Sequence, residues 1–208
     1  RPLIDGNMQI AEHNIILGLN IPNYPEKNQI KINSGLGIGE DTPSFTPFHA
    51  FGPDKGTQTC PVCKYGRFHG IVYFVGNHPN WNHIKEWLSF LELESVNRNQ
   101  YLKVYFVYGN AKGYSKEERQ KELENLGNEL NIKHTALTFV PSFSDEESEV
   151  YLNKVNPEVE NTFIIYRYRA IIDKFVNLKP TKENYKLISQ TLDKTKNDYF
   201  NLPEPKHD

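Results

Sequence analysis

Cysteine, methionine and tryptophan are scarce in this sequence. Its 208 residues include two cysteines, one methionine and two tryptophans. A small disulfide-rich framework needs several cysteines spread along the chain, so that class is excluded. At this length the chain can instead bury one substantial core, and 38% of its residues are hydrophobic. We therefore expect a globular domain whose stability comes from its core.

Long apolar runs and an excess of one charge are also missing. No run of about 18 apolar residues occurs, so the sequence predicts no transmembrane segment in this chain. Lysine and arginine number 24 against 26 aspartates and glutamates, and no stretch concentrates the cations as a phosphate-tracking surface would. We therefore expect no nucleic-acid partner.

The two ends of the chain differ from its middle. The chain starts at Arg1 without a methionine, which indicates that a leader was removed, either by cleavage or by design of the expressed sequence. Cleavage would fit export to a periplasmic or similar compartment. The first 35 residues are rich in Asn, Pro and Gly and show no sustained period, which is typical of an arm. We therefore expect an N-terminal extension at 1–36, one domain at 37–196 and a tail at 197–208.

Short apolar runs in the middle of the chain predict buried strands. GIVYFVG at 70–76, LKVYFVYG at 102–109 and HTALTFVP at 134–141 are too short for buried helices and are bounded by glycine or proline. Residues 161–178 hold two β-rich runs around a tight polar turn, which predicts a hairpin. The chain therefore contains at least five predicted strands.

Amphipathic segments with capping residues separate these strands. Asn80 is the expected N-cap of one helix, and Ser115 opens a Ser-x-x-Glu capping box ahead of a second. Thr181 starts a closing helix, and Ser144 is the expected cap of a short helix in the acidic segment. Helices that alternate with buried strands predict an α/β fold with a central mixed sheet flanked by helices.

Two phrases give this order a family resemblance. GIGEDTPSFTP at 37–47 is similar to a Gly-Asp-x-x-Pro-x-Phe-Thr opening phrase, and NTFIIY at 161–166 is similar to a Thr-Phe-Ile-Ile-Asp strand. Both resemble the redoxin and peroxiredoxin branch of the thioredoxin-like superfamily, which includes alkyl hydroperoxide reductase and thiol-specific antioxidant proteins. The resemblance covers about residues 37–196 and implies a thioredoxin-like fold.

The residues that carry the usual chemistry of that branch are absent. The segment 76–81, where the resemblance places the reactive cysteine, contains none. The cis-proline of the family would fall at Asn161, and the arginine that polarises peroxide would fall near Glu160. A glutamate there would repel a thiolate. We therefore expect no peroxidase activity of the usual kind.

The two cysteines form a Cys-x-x-Cys before the first predicted core strand. Cys60 and Cys63 could form a displaced dithiol, because Lys64 and Arg67 would lower a thiolate pKa and Pro61 would hold the turn. By analogy with the N-terminal cysteine of such motifs, we expect Cys60 to attack and Cys63 to resolve. This interpretation predicts a thiol-disulfide oxidoreductase with a protein thiol or disulfide as partner and no cofactor.

Three other interpretations of the cysteine pair stay open. A structural disulfide would make the chain a non-enzymatic binding or scaffold module, although so small a loop contributes under about 3 kcal/mol. A Zn²⁺ or Cu⁺ site would combine the two thiolates with imidazoles. The candidate imidazoles are those of His49, His69, His78 and His83. Haem attachment needs a histidine directly after the second cysteine, where this chain has Lys64.

Two further motifs have both a functional and an ordinary interpretation. His78 and His83 could serve acid–base chemistry or a metal, but a polar loop and helix cap would look the same. The Tyr-Arg-Tyr-Arg at 166–169 could bind an anionic partner, yet this alternation is also typical of an exposed ribbon face. We expect the ordinary interpretation for both motifs.

Overall fold

A computed structural model describes residues 32–99 and 101–196, so the predicted tail and most of the predicted extension lie outside the described residues. The architecture below belongs to one compact unit that starts at Asn33. Its strands are β1 Phe48–Phe51, β2 His69–Val75, β3 Leu102–Tyr108, β4 Thr135–Phe139, β5 Thr162–Arg167 and β6 Ala170–Val176. Its helices are α1 Pro61–Tyr65, α2 Trp81–Asn97, α3 Lys116–Glu129 and α4 Lys182–Asp193, with a 3₁₀ turn at Val150–Asn153.

The six strands form one mixed sheet in the order β1-β4-β3-β2-β5-β6. Strands β2, β3 and β4 run parallel, whereas β1, β5 and β6 are antiparallel to their neighbours. Successive right-handed crossovers that move in one direction along a sheet place their helices on the same face. The predicted α/β class, the mixed sheet and the late hairpin are therefore confirmed.

The first face of the sheet is covered by α2, α3 and α4. Their apolar stripes supply Trp87, Leu123 and Ile188, all fully buried, to one core that also holds Ile71 of β2. The indole N–H of Trp87 donates to the carbonyl of Leu178 at 3.1 Å, so the largest core side chain has its polar atom satisfied. Each such side chain contributes about 1.5–3 kcal/mol by leaving water. The three long helices therefore pack on this face by burying their apolar stripes against the sheet.

The second face has a thinner cover. It is formed by the short helix α1 and by irregular segments on both sides of β1 and β4. Phe45, Val62, Phe143 and Val150 are buried there against Val72 and its neighbours in the sheet. The cover therefore places the Cys-x-x-Cys segment directly on the sheet.

Three predicted caps are present. The side chain of Asn80 accepts from the amide of His83 at 3.2 Å, Ser115 accepts from Glu118, and Thr181 accepts from Asn184. The helix predicted after Ser144 is wrong, because that segment forms turns and then the 3₁₀ turn of Val150–Asn153. None of the helices in the described part of the chain is long and apolar enough to cross a membrane.

Candidate functional site

The cysteine pair caps the N-terminus of α1. Cys60 is the N-cap residue and Pro61 occupies the first helical turn, where its fixed φ and missing N–H are tolerated. Cys60 and Cys63 form a disulfide, with their Cα atoms 5.3 Å apart. The amide N–H of Cys63 also donates to Sγ of Cys60 at 3.1 Å. From the sequence we expected this motif only to precede the first core strand, whereas the structure makes it the start of a helix.

The two cysteines differ in exposure. Val62 and Tyr65 are buried at 1% and 7% exposure and anchor α1 on the second face of the sheet. Cys60 is half-buried and packs against the same core, while Cys63 is exposed. A thiol from another molecule therefore has its most direct approach to the sulfur of Cys63.

The loop before Cys60 is organised by a buried histidine. His49 is fully buried, with Nδ1 3.1 Å from the carbonyl oxygen of Pro53 and Nε2 2.9 Å from that of Thr59. Its backbone N–H also donates to the carbonyl of Thr57 at 2.9 Å. Because Thr59 directly precedes Cys60, the contact with His49 holds the residue before the disulfide against strand β1. The sequence analysis considered His49 only as a metal ligand.

A carboxylate modifies the charge beside the disulfide. Asp54 accepts from Nζ of Lys64 at 2.7 Å, and its side chain is only 10% exposed. Its other oxygen is buried without a hydrogen-bond partner among the described residues. The ion pair offsets part of the positive charge that Lys64 was predicted to supply to a thiolate.

A second cation lies beside α1. Nζ of Lys103, on β3, lies 4.7 Å from the centre of the Tyr65 ring and 5.7 Å from that of Phe68. Burial lowers the pKa of Lys103, the charge of Lys64 lowers it further, and Asp54 opposes both effects. Positive charge therefore flanks α1 from the sheet as well as from the helix itself.

The turn to which the resemblance assigns the reactive cysteine is held by a neighbouring segment in this chain. The turn between β2 and α2 is overlaid by residues 157–160, and Asn77 N–H donates to the carbonyl of Pro157 at 2.8 Å. A Cβ at Gly76 would come within 2.5 Å of that same oxygen, so the two segments are in direct backbone contact. The Asn77 side chain donates to Glu158 at 2.6 Å. This turn has no cysteine, and its backbone is held by residues 157–160 although the His78 side chain is exposed.

Two histidines at that turn pair with glutamates. Nε2 of His78 lies 2.6 Å from a carboxylate oxygen of Glu158, and Nδ1 of His83 contacts Glu160. The hydrogen bond from Asn77 is the main reason that the pKa of Glu158 is lowered, and His78 adds to it. Within residues 32–99 and 101–196, no three His, Cys, Asp or Glu side chains are grouped closely enough to hold a metal ion. The structure therefore does not bring His78 and His83 together with the cysteines.

His69 starts strand β2 and is fully buried. Its Nε2 contacts the hydroxyl of Thr195. Burial, followed by the charges of Arg167 and Arg98, lowers the pKa of His69 to about 4. This histidine is therefore neutral near neutral pH and belongs to the core.

Comparison with known proteins shows the fold. No family model and no curated protein sequence matches the chain. A structure described as thiol:disulfide interchange protein DsbE of Chlorobium tepidum has a TM-score of 0.58 at 11% identity, covering 77% of this chain and 99% of that chain. An uncharacterised conserved protein of Geobacillus kaustophilus has a TM-score of 0.58 at 18% identity, with coverages of 85% and 89%.

A third structure comes from the peroxiredoxin branch. The yeast mitochondrial 1-Cys peroxiredoxin has a TM-score of 0.51 at 14% identity, covering 76% of this chain and 78% of that chain. These similarities show that the chain has a thioredoxin-like fold, as its opening phrase and late hairpin predicted.

Proposed function

We propose that this protein exchanges disulfides with protein thiols through Cys60 and Cys63. The observation that supports this most directly is the geometry of the pair, a surface disulfide at a helix start with an amide N–H directed at Sγ of Cys60. Such a donor stabilises a thiolate more than a thiol and lowers its pKa. Since a thiolate of lower pKa leaves faster, the pair suits repeated opening and closing.

The exchange proceeds in two balanced steps. A partner thiolate attacks one sulfur, the Cys60–Cys63 bond breaks, and the other sulfur leaves as a thiolate. A second partner thiolate then attacks the mixed disulfide and releases the remaining cysteine. The protein disulfide is thereby reduced to two thiols and the partner dithiol is oxidised, with the two protons of the partner passing to the protein thiols.

Exposure favours one order of attack. The exposed Cys63 would receive the partner thiolate, and Cys60 would leave as the thiolate that accepts the Cys63 N–H. This order is the reverse of the one expected by analogy with other Cys-x-x-Cys motifs. In this order the exposed sulfur of Cys63 forms the mixed disulfide. The sulfur of Cys60, which accepts the amide N–H, is the leaving thiolate.

A disulfide in the resting protein fits an oxidising compartment. The proposal therefore includes an exported location. In such a compartment the oxidised form accepts electrons from partner proteins that still carry thiols.

The reduction potential of the pair tests the proposal. Protein that has been checked for bound metal is equilibrated with glutathione buffers, and the thiols are counted by mass spectrometry. We expect a potential between about −120 and −270 mV, which is the range of proteins that exchange disulfides. A potential below about −300 mV would overturn the proposal, because a disulfide of that kind stays closed against the glutathione pool.

That second outcome would favour a binding or scaffold module with a structural disulfide. One observation supports this alternative, since Cys60 packs against the buried core beneath α1. The disulfide would then fix α1 to the loop held by His49. Its contribution would be under about 3 kcal/mol, because the closed loop is so short.

A further inference from the structure

Four cations from three separate parts of the chain surround α1, and we call them the basic rim. They are Lys64 on α1, Arg67 in the turn after it, Lys103 on β3 and Arg169 in the β5–β6 turn. Arg169 lies against the end of α1, since a Cβ at Gly66 would come within 2.7 Å of its Cγ. The fold therefore brings together charges that are up to about a hundred positions apart in the sequence, which is why no cluster is visible along the chain.

The basic rim is more positive than the chain as a whole. The chain has 24 basic and 26 acidic residues, whereas in the described part of the chain the four cations of the rim have one ion-paired carboxylate, that of Asp54. Two further carboxylates, Glu40 and Asp41, lie on the segment whose backbone pairs with residues 169–171. Among the described residues, no carboxylate forms an ion pair with Arg67, Lys103 or Arg169. A local positive potential beside the disulfide follows, even though the net charge of the chain is −2.

The β5–β6 turn adds a second, independent observation. Tyr168 and Arg169 both have positive φ, 48° and 66°, in a two-residue turn where Asn and Gly are the favoured residues. Tyr168 is 41% exposed, and the guanidinium of Arg167 lies 4.1 Å from the centre of its ring. Bulky residues in this backbone conformation are strained, and such strain concentrates at functional surfaces. The fold therefore displays these two side chains at a cost in stability.

We propose that the basic rim and Tyr168 form a docking surface for partner proteins whose exchanging cysteine is flanked by aspartate or glutamate. The inference rests on the proposed function, because it places the acidic flanks beside Cys63. The surface spans α1, β3 and a hairpin turn, which suits a polypeptide segment. Its charge would speed the encounter with an acidic segment and slow the encounter with a basic one.

Three peptides test the selection. Each carries the same pair of reduced cysteines, and the flanking residues are glutamate, glutamine or lysine. The second-order rate of Cys60–Cys63 reduction is measured for each peptide at low and high salt. We expect the acidic peptide to react faster than the neutral one by on the order of tenfold at low salt, with the difference shrinking as salt screens the charges.

Variants locate the effect. Arg67→Gln, Lys103→Gln and Arg169→Gln together should remove the preference for the acidic peptide over the neutral one. The matched control replaces three exposed lysines that lie on α3, after α3 and at the start of α4. These replacements are Lys121→Gln, Lys133→Gln and Lys182→Gln. It changes the net charge equally and should keep the preference. Equal losses in the two variants would overturn the inference, because net charge alone would then explain the rates.

A second variant separates the surface from folding. Tyr168→Asn with Arg169→Gly places the favoured residues in the turn, so the midpoint of thermal unfolding should rise while the reaction with the acidic peptide slows. An unchanged rate with the acidic peptide would contradict the docking surface.

Dithiothreitol distinguishes the two proposals. If it opens the disulfide of the unaltered protein but the three peptides react equally, the docking surface is wrong and the exchange function stands. If no peptide exchanges and the potential lies below the range of proteins that exchange disulfides, both are overturned.

Discussion

The two ends of strand β2 carry opposite arrangements of charged and polar groups. At the end of the strand, where this fold usually holds its reactive cysteine, the turn is overlaid by residues 157–160 and holds two histidines paired with Glu158 and Glu160. Before its start, α1 carries an exposed disulfide flanked by cations. Ligands of open α/β sheets normally bind at the carboxyl ends of the parallel strands. In this chain the fold is retained, but the only cysteines lie at the opposite end.

The difference shows that a fold supplies positions and that side chains supply chemistry. A glutamate near the usual site raises the free energy of a nearby thiolate, which disfavours ionisation of a cysteine placed there. At α1 the amide of Cys63 and the neighbouring cations lower that free energy. The relocation therefore follows the local electrostatics of each end.

The largest expected effect comes from removing the cysteines. Cys60→Ser with Cys63→Ser should abolish exchange with the neutral peptide, while His78→Gln with His83→Gln at the other end of β2 should leave the exchange rate unchanged. Loss of exchange in the histidine variant would break the comparison, because the usual site would then contribute. The cysteine variant should unfold with a loss under about 3 kcal/mol, as judged by urea titration. A loss above about 5 kcal/mol would instead indicate folding coupled to a metal.

Single variants sharpen the same prediction. Cys60→Ser should capture a peptide disulfide on the exposed Cys63 faster than Cys63→Ser captures it on Cys60, by on the order of tenfold, because a half-buried sulfur is reached less easily. Mass spectrometry of the mixed disulfides over time measures both rates. Faster capture by Cys60 would restore the order expected by analogy.

Lowering the pH should destabilise the folded protein by protonating His69, which lies at the end of β2 nearest α1. Its pKa in the folded protein is about 4, against 6.5 as its ordinary value, so the unfolded chain binds the proton more tightly. The stability that this group contributes is complete above pH 6.5 and is lost as the pH falls toward 4. The loss between pH 7 and 4 should be about 3 kcal/mol.

A matched variant assigns this effect. His69→Gln should lose less stability than the unaltered protein between pH 7 and 4 in urea titrations, because glutamine does not titrate in that range. His78→Gln, at the exposed end of the strand, should keep the full acid sensitivity. Equal acid sensitivity in all three proteins would show that His69 does not control it.

Much of the fold follows from local patterns in the sequence. The apolar runs, three caps and the hairpin predicted β2 to β6 and the three long helices, because each signal acts within a few residues. Strand β1 and helix α1 were missed since they contain four and five residues, too few to show a period. The Ser144 prediction failed because its segment packs Val150 into the second core through a 3₁₀ turn instead of a helix.

The candidate site was less predictable than the fold. The Cys-x-x-Cys itself was visible, but its disulfide, its exposure and the basic rim depend on contacts between distant residues. Arg169 contacts the end of α1 only because the sheet brings the β5–β6 turn beside that helix. Asp54 pairs with Lys64, which is ten positions away in the sequence. Pro53-Asp54 would have signalled a turn. No local signal indicates that its carboxylate pairs beside the disulfide.

The smallest expected effect concerns the loop that leads to Cys60. His49→Phe removes the ring nitrogens that face the carbonyls of Pro53 and Thr59, so at least one buried acceptor loses its donor. The free energy of unfolding should fall by about 2 kcal/mol, whereas His78→Phe at the exposed end of β2 should change it by less than about 0.5 kcal/mol. Urea titration measures both. Equal losses would mean that the two ends of the strand do not differ in how tightly they are held, and that the loop before the disulfide does not depend on His49.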